Sequence, residues 1–132
     1  EEKNNPNPEI DIIEYFQQKE MHMNLFTWDK DSSGNYQHVD FKGQIFNYNN
    51  DLSTTFRVYG LERSGDHIRF YFDDKLVCDW KAPDPAFTSM PRHLILSLEG
   101  HRYVPHANQL PASFDIDWVR VFIPGKKNNS PH

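Results

Sequence analysis

The chain has 132 residues, 37% of them apolar and 14% aromatic, and a formal charge of −5 at neutral pH. That is the length of one domain with enough large side chains for a core. The acidic balance, with no run of lysine or arginine, argues against a nucleic-acid backbone as partner, and no window approaches the ~20 apolar residues of a membrane span. Ten Phe, six Tyr, nine Pro and six Gly favour an all-β sandwich or barrel over a helical bundle.

Residues 1–8, EEKNNPNP, are polar and turn-rich and read as a flexible N-terminal segment. The first strand is expected over 9–16, where Glu9-Ile10-Asp11-Ile12-Ile13-Glu14 sets three carboxylates in six residues. Side chains alternate faces along a strand, so Glu9 and Asp11 point one way and Ile10 the other. Glu14 breaks that parity. A β-bulge at Ile12-Ile13 would return it to the acidic face and let both isoleucines stay buried. Like charges so close cannot all ionise freely, so one proton affinity rises and an acid stands beside a carboxylate. This is the equipment of a glycosidase: with ~5 to 5.5 Å between two carboxyl groups, one attacks the anomeric carbon while the other protonates the leaving oxygen, with net retention. A solvated acidic edge strand, charged against aggregation, is the alternative for these six residues.

The second strand, expected over 21–28, places Met21, Met23 and Leu25 on a core side and His22, Asn24, Phe26 and Trp28 on a polar and aromatic side. Paired with the first, it would extend the acidic face into a groove floor suited to a sugar, whose C–H faces stack on aromatics and whose hydroxyls need polar partners. Phe26 and Trp28 filling a second core layer is the competing assignment. Further strands are expected at 35–40, 43–48, 54–62, 67–73, 75–80, 92–99 and 113–123, punctuated by turns such as Asp31-Ser32-Ser33-Gly34 and Asp73-Asp74-Lys75. Residues 81–91 form a proline-broken loop. Ile68, Phe70 and Phe72, and Leu94, Leu96 and Leu98, are expected in the core. Residues 124–132 read as a flexible tail.

Cys78 is the only cysteine, so no internal disulfide forms, and its alternation with Leu76 and Trp80 predicts core packing. The seven histidines are scattered without helical pairs or cysteine partners, a poor pattern for zinc. No nucleophile elbow or glycine-rich phosphate loop is present, and EIDIIE lacks the turn of a calcium loop.

Several blocks, in order, resemble the family-16 glycoside hydrolases, the clan of laminarinases, lichenases, agarases and carrageenases. EIDIIE is similar to the family's catalytic signature in its longer, bulged form. Phe56–Glu62 with Ile68–Asp73 resembles its paired strands after the active site, and Leu94–Leu98 and Phe114–Phe122 resemble its last two strands. The resemblance implies a jelly-roll, concanavalin A-like β-sandwich and a retaining endo-acting hydrolase of a β-linked polysaccharide, either β-1,3-glucan or an agar/carrageenan-type galactan. It implies Glu9 as nucleophile, Glu14 as general acid then base, and Asp11 as the residue orienting Glu9. His22, Asn24 and Trp28 are the expected cleft lining. Catalysis would need no cofactor; Asp117 sits where family members often supply a ligand to a structural calcium. A polysaccharidase meets its polymer outside the cell, so a secreted, periplasmic or cell-surface protein is expected.

The chain departs from the family in two respects. Family domains are roughly twice this length, so the chain is expected to be the C-terminal half, 9–123 forming a portion of the sandwich that a complementary N-terminal fragment or a second copy completes. Arg63 stands where the family commonly has tryptophan. The competing class of function is a non-catalytic carbohydrate-binding sandwich.

Overall fold

The hydrophobic alternation resolves into six strands in the computed structural model of the chain, which describes residues 7–17, 19–100 and 104–123. β1 (Asn7–Gln17), β2 (Glu20–Lys30) and β3 (Tyr36–Asn47) form one antiparallel sheet in that order; β4 (Tyr59–Ser64), β5 (His67–Phe72) and β6 (Lys75–Lys81) form a second. A short helix, α1 (Ala86–Ser89), follows. All of these lie in one compact unit, Glu1–Arg92; a second unit spans His93–His132.

The two sheets share one core, and period-2 patterning decides which residues enter it. Met21, Met23 and Leu25 from β2 are fully buried, as are Ile68 and Phe70 from β5, and they meet Phe72, Cys78, Leu52 and Phe87 in one cluster. Each such side chain contributes roughly 1.5–3 kcal/mol by leaving water. Aromatic contacts reinforce it: Phe70 meets Trp80 edge-on at 5.2 Å between centroids, and Tyr48 and Tyr59 flank Phe72 at 4.9 and 5.5 Å. The architecture is the expected all-β, jelly-roll type sandwich. Cys78 lies in the core as its alternation predicts, and burial raises its thiol pKa.

Turn chemistry sets the hairpins. The β5–β6 connection places Asp73 and Asp74 at φ 46° and 63°, the conformation of a tight two-residue turn whose twist matches the strands. Asp73 then accepts hydrogen bonds from Arg57 Nη1 (3.0 Å) and the Val58 backbone N–H (3.1 Å), fastening the approach to β4. On the outer face of this sheet Arg69 donates to Glu62 and Asp79, and Tyr71 donates to Glu62, cross-strand pairs that support the register.

Several expectations need correction. The strands expected at 35–40 and 43–48 are one strand, β3, interrupted by a register shift where Leu25 pairs Lys42 and Phe26 pairs Asp40. The strand expected from 54 begins only at Tyr59, because Asp51 accepts from the Ser53 N–H and hydroxyl and winds Leu52–Thr54 into a 3₁₀ turn. The proline-broken loop contains α1, whose Phe87 is fully buried. A register shift between Phe70 and Tyr71 turns Leu76 outward, 52% exposed.

Residues 92–99 and 113–123 form no strand. Leu94, Leu96 and Leu98 are half-exposed instead of core, and Val121 and Phe122 are more exposed still. Alternation supplies only one face of a strand; the ladder also requires a neighbour whose N–H and C=O groups complete it, and within the second unit the described residues offer none. The expected flexible ends lie largely outside the described residues, and β1 already begins at Asn7.

Candidate active site

β1 and β2 position the acidic residues. Pairing runs regularly from Asn7–Trp28 to Asp11–Asn24, then resumes at Glu14–His22, three residues forward on β1 against two back on β2. The extra residue falls at Ile12-Ile13, where the broken alternation predicts it, and it returns Glu14 to the face of Glu9 and Asp11. Ile10 and Ile13 pack against the core, and Ile12 is half-buried. A second shift, between Glu14 and Gln17, was not expected.

Donors on β2 identify the shared face. Asn24 Nδ2 donates to Glu14 Oε2 at 2.7 Å and to Asp11 Oδ2 at 3.3 Å. Trp28 Nε1 donates to Glu9 Oε2 at 2.7 Å. Asn24 and Trp28 have the same parity on β2, opposite to buried Met23, Leu25 and Thr27, so all three carboxylates lie on the surface of this sheet turned away from the core. The Asp11 pKa is pushed from 3.8 up to about 7, chiefly by burial and next by the charge of Glu14; Glu9 and a hydrogen bond with Glu14 add to the rise, and the Asn24 amide opposes it.

Trp28 is 39% exposed and meets Phe26 at 5.7 Å and His38 at 5.2 Å between centroids; Phe26 and His38 meet at 4.1 Å. Phe26 is buried, as the second-layer reading has it, whereas the Trp28 ring remains open beside Glu9. His38 escaped the sequence reading, although Trp28 and His38 are cross-strand partners. His22 lies opposite Glu14, but its ring contacts Glu20 (Nε2 to Oε2, 3.3 Å) and the edge of Phe16 at 5.1 Å.

Gly43 was also missed. It pairs with Asn24 on β3; the available signal was a lone glycine inside a strand pattern. Arg63, the departure from the family pattern, donates from Nε to the Phe87 carbonyl (2.7 Å) and from Nη2 to the Met90 carbonyl (2.6 Å), while Arg92 Nη2 reaches the Ala86 carbonyl (2.9 Å). The two guanidiniums thus hold α1 by its backbone.

Asp117 is exposed in the second unit, and among the described residues no three His, Cys, Asp or Glu side chains gather to hold a metal ion.

Three carboxylates on one strand face, held by an amide and an indole, are equipped for acid/base and nucleophilic work on a neutral substrate. Comparisons with curated proteins and with solved structures returned no match. The family model described as glycosyl hydrolases family 16 matches residues 1–120. On this match, spanning nearly the whole sequence, the chain belongs to glycosyl hydrolases family 16.

Proposed function

We propose that the protein is a retaining, endo-acting glycoside hydrolase of a β-linked polysaccharide, with Glu9 as nucleophile and Glu14 as acid/base. The observation that carries this reading is the bulge at Ile12-Ile13, which gives Glu9, Asp11 and Glu14 a common face. Family membership supports glycosidic-bond hydrolysis and a carbohydrate substrate. β-1,3-Glucan and agar/carrageenan-type galactan are the substrate classes proposed.

In the first displacement a carboxylate oxygen of Glu9 attacks the anomeric carbon as Glu14 delivers its proton to the glycosidic oxygen; the C–O bond breaks, the leaving chain departs as an alcohol, and a glycosyl ester remains. In the second, Glu14 takes a proton from water, the hydroxyl oxygen attacks the same carbon, and Glu9 leaves as carboxylate. Two inversions give net retention. Trp28 fixes one oxygen of Glu9 through its N–H. Asp11, its carboxyl pKa pushed up to about 7, stands between the other two acids along the strand and adds no charge of its own while it keeps its proton. The open Trp28 ring offers an apolar surface for a sugar face. Such an enzyme works where its polymer is, so export to the cell surface, periplasm or medium is part of the proposal.

The test is reducing-end release from laminarin and agar. Glu9→Gln should abolish it while leaving polysaccharide binding intact. Undiminished turnover in that variant would exclude the assignment.

A further inference from the structure

Asn24 has the parity expected of a sugar ligand, yet both hydrogen bonds described for its amide nitrogen go to protein carboxylates. One reaches Glu14 and the other Asp11, the residues on either side of the Ile12-Ile13 bulge. An amide nitrogen has two hydrogens, so the pair accounts for its full donor capacity.

The oxygen of the same amide faces Gly43. A Cβ added at Gly43 would lie 2.9 Å from Asn24 Oδ1, closer than real Cβ atoms approach other heavy atoms, with the next atoms at 3.9 and 4.0 Å. Gly43 lies within β3, directly opposite Asn24, and it lacks the positive φ of Gly34 and Gly65. Backbone conformation therefore does not require glycine there. Glycine inside a strand forgoes packing and is entropically unfavourable, and close approach of another group is a standard reason for its presence.

We propose that Gly43 and Asn24 form a positioning pair: the bare backbone of β3 seats the Asn24 amide so that its nitrogen spans Asp11 and Glu14 and sets their geometry. Neither is a catalytic residue. The asparagine acts through the acids it holds, and the glycine acts through the asparagine. A methyl group at 43 is small enough for the strand, and only the end of the Asn24 side chain has to yield. Yielding means rotating away from the two carboxylates. A donor to a carboxylate favours its charged form, so losing the amide makes Asp11 hold its proton more tightly.

The inference rests on the proposed function for its catalytic meaning, but titration tests it separately. In protein carrying ¹³C at the Asp and Glu carboxyls, Gly43→Ala should move the Asp11 midpoint up by about one pH unit, the size expected for one lost charge-assisted bond, with no fall in melting temperature. Asn24→Ala should do the same without altering β3. In turnover, both variants should lower kcat about tenfold with KM nearly constant. An Asp11 titration in Gly43→Ala superimposable on the wild type would overturn the proposal, as would a change confined to KM, which would make Asn24 a sugar ligand. A moved titration in a protein that hydrolyses nothing would retain the positioning pair and reject the function.

Discussion

Asp11→Asn isolates the free energy stored in the acidic face. Asparagine resembles protonated aspartate in shape and charge, so at low pH the variant and the parent should differ little in how their stability changes with pH. In the parent the folded-state pKa rises from 3.8 to about 7. The native state then binds more protons than the unfolded chain between those values, and stability falls as pH rises through that window. At ~1.4 kcal/mol per pH unit the full span corresponds to ~4 kcal/mol, and because Asp11 is only half-buried, solvent screening reduces the expected effect to about 2 kcal/mol. Urea unfolding of both proteins from pH 3.5 to 8.5 reads this directly. The parent should lose about 2 kcal/mol relative to Asp11→Asn, most of it between pH 4 and 7. Parallel curves across the window would show that Asp11 titrates normally, and the argument that burial and Glu14 hold its proton would fail.

Other substitutions test separate parts of the account. Phe87→Ala removes a fully buried side chain and should cost about 3–5 kcal/mol in urea unfolding; a loss under ~1 kcal/mol would mean that α1 does not seal the core. Arg63→Met strips the donor from the Phe87 and Met90 carbonyls and should cost ~1–3 kcal/mol, with hydrogen exchange accelerated around α1 and not in β5. Trp28→Phe keeps a ring while deleting the N–H to Glu9, so kcat should fall about tenfold, the equivalent of ~1.4 kcal/mol, with polysaccharide affinity little changed; loss of affinity alone would assign Trp28 to substrate binding.

The acidic face was legible because its violation of strand parity is local: two adjacent isoleucines between Asp11 and Glu14 admit both charges to one side only through an extra residue. The Asp73-Asp74 turn was legible for a similar reason, since its residues tolerate positive φ. Features that depend on a partner strand were not. Leu76 fits the alternation of Cys78 and Trp80 and still faces solvent, because the shift between Phe70 and Tyr71 changes its side. Leu94, Leu96 and Leu98 alternate as regularly as Ile68, Phe70 and Phe72, yet only the second trio lies on a strand with neighbours on both edges. Parity also assigned Asn24 to the right surface without showing that its amide nitrogen is committed to Asp11 and Glu14, which is a matter of ångströms.

Covalent trapping addresses the chemistry most directly. A fluorinated β-oligosaccharide with an activated leaving group, incubated with the protein and followed by peptide mass spectrometry, should leave one glycosyl adduct on Glu9 and none in Glu9→Gln. An adduct on Glu14 or Asp11, or hydrolysis whose first-formed product has the inverted anomeric configuration, would contradict the assignment of Glu9 and Glu14.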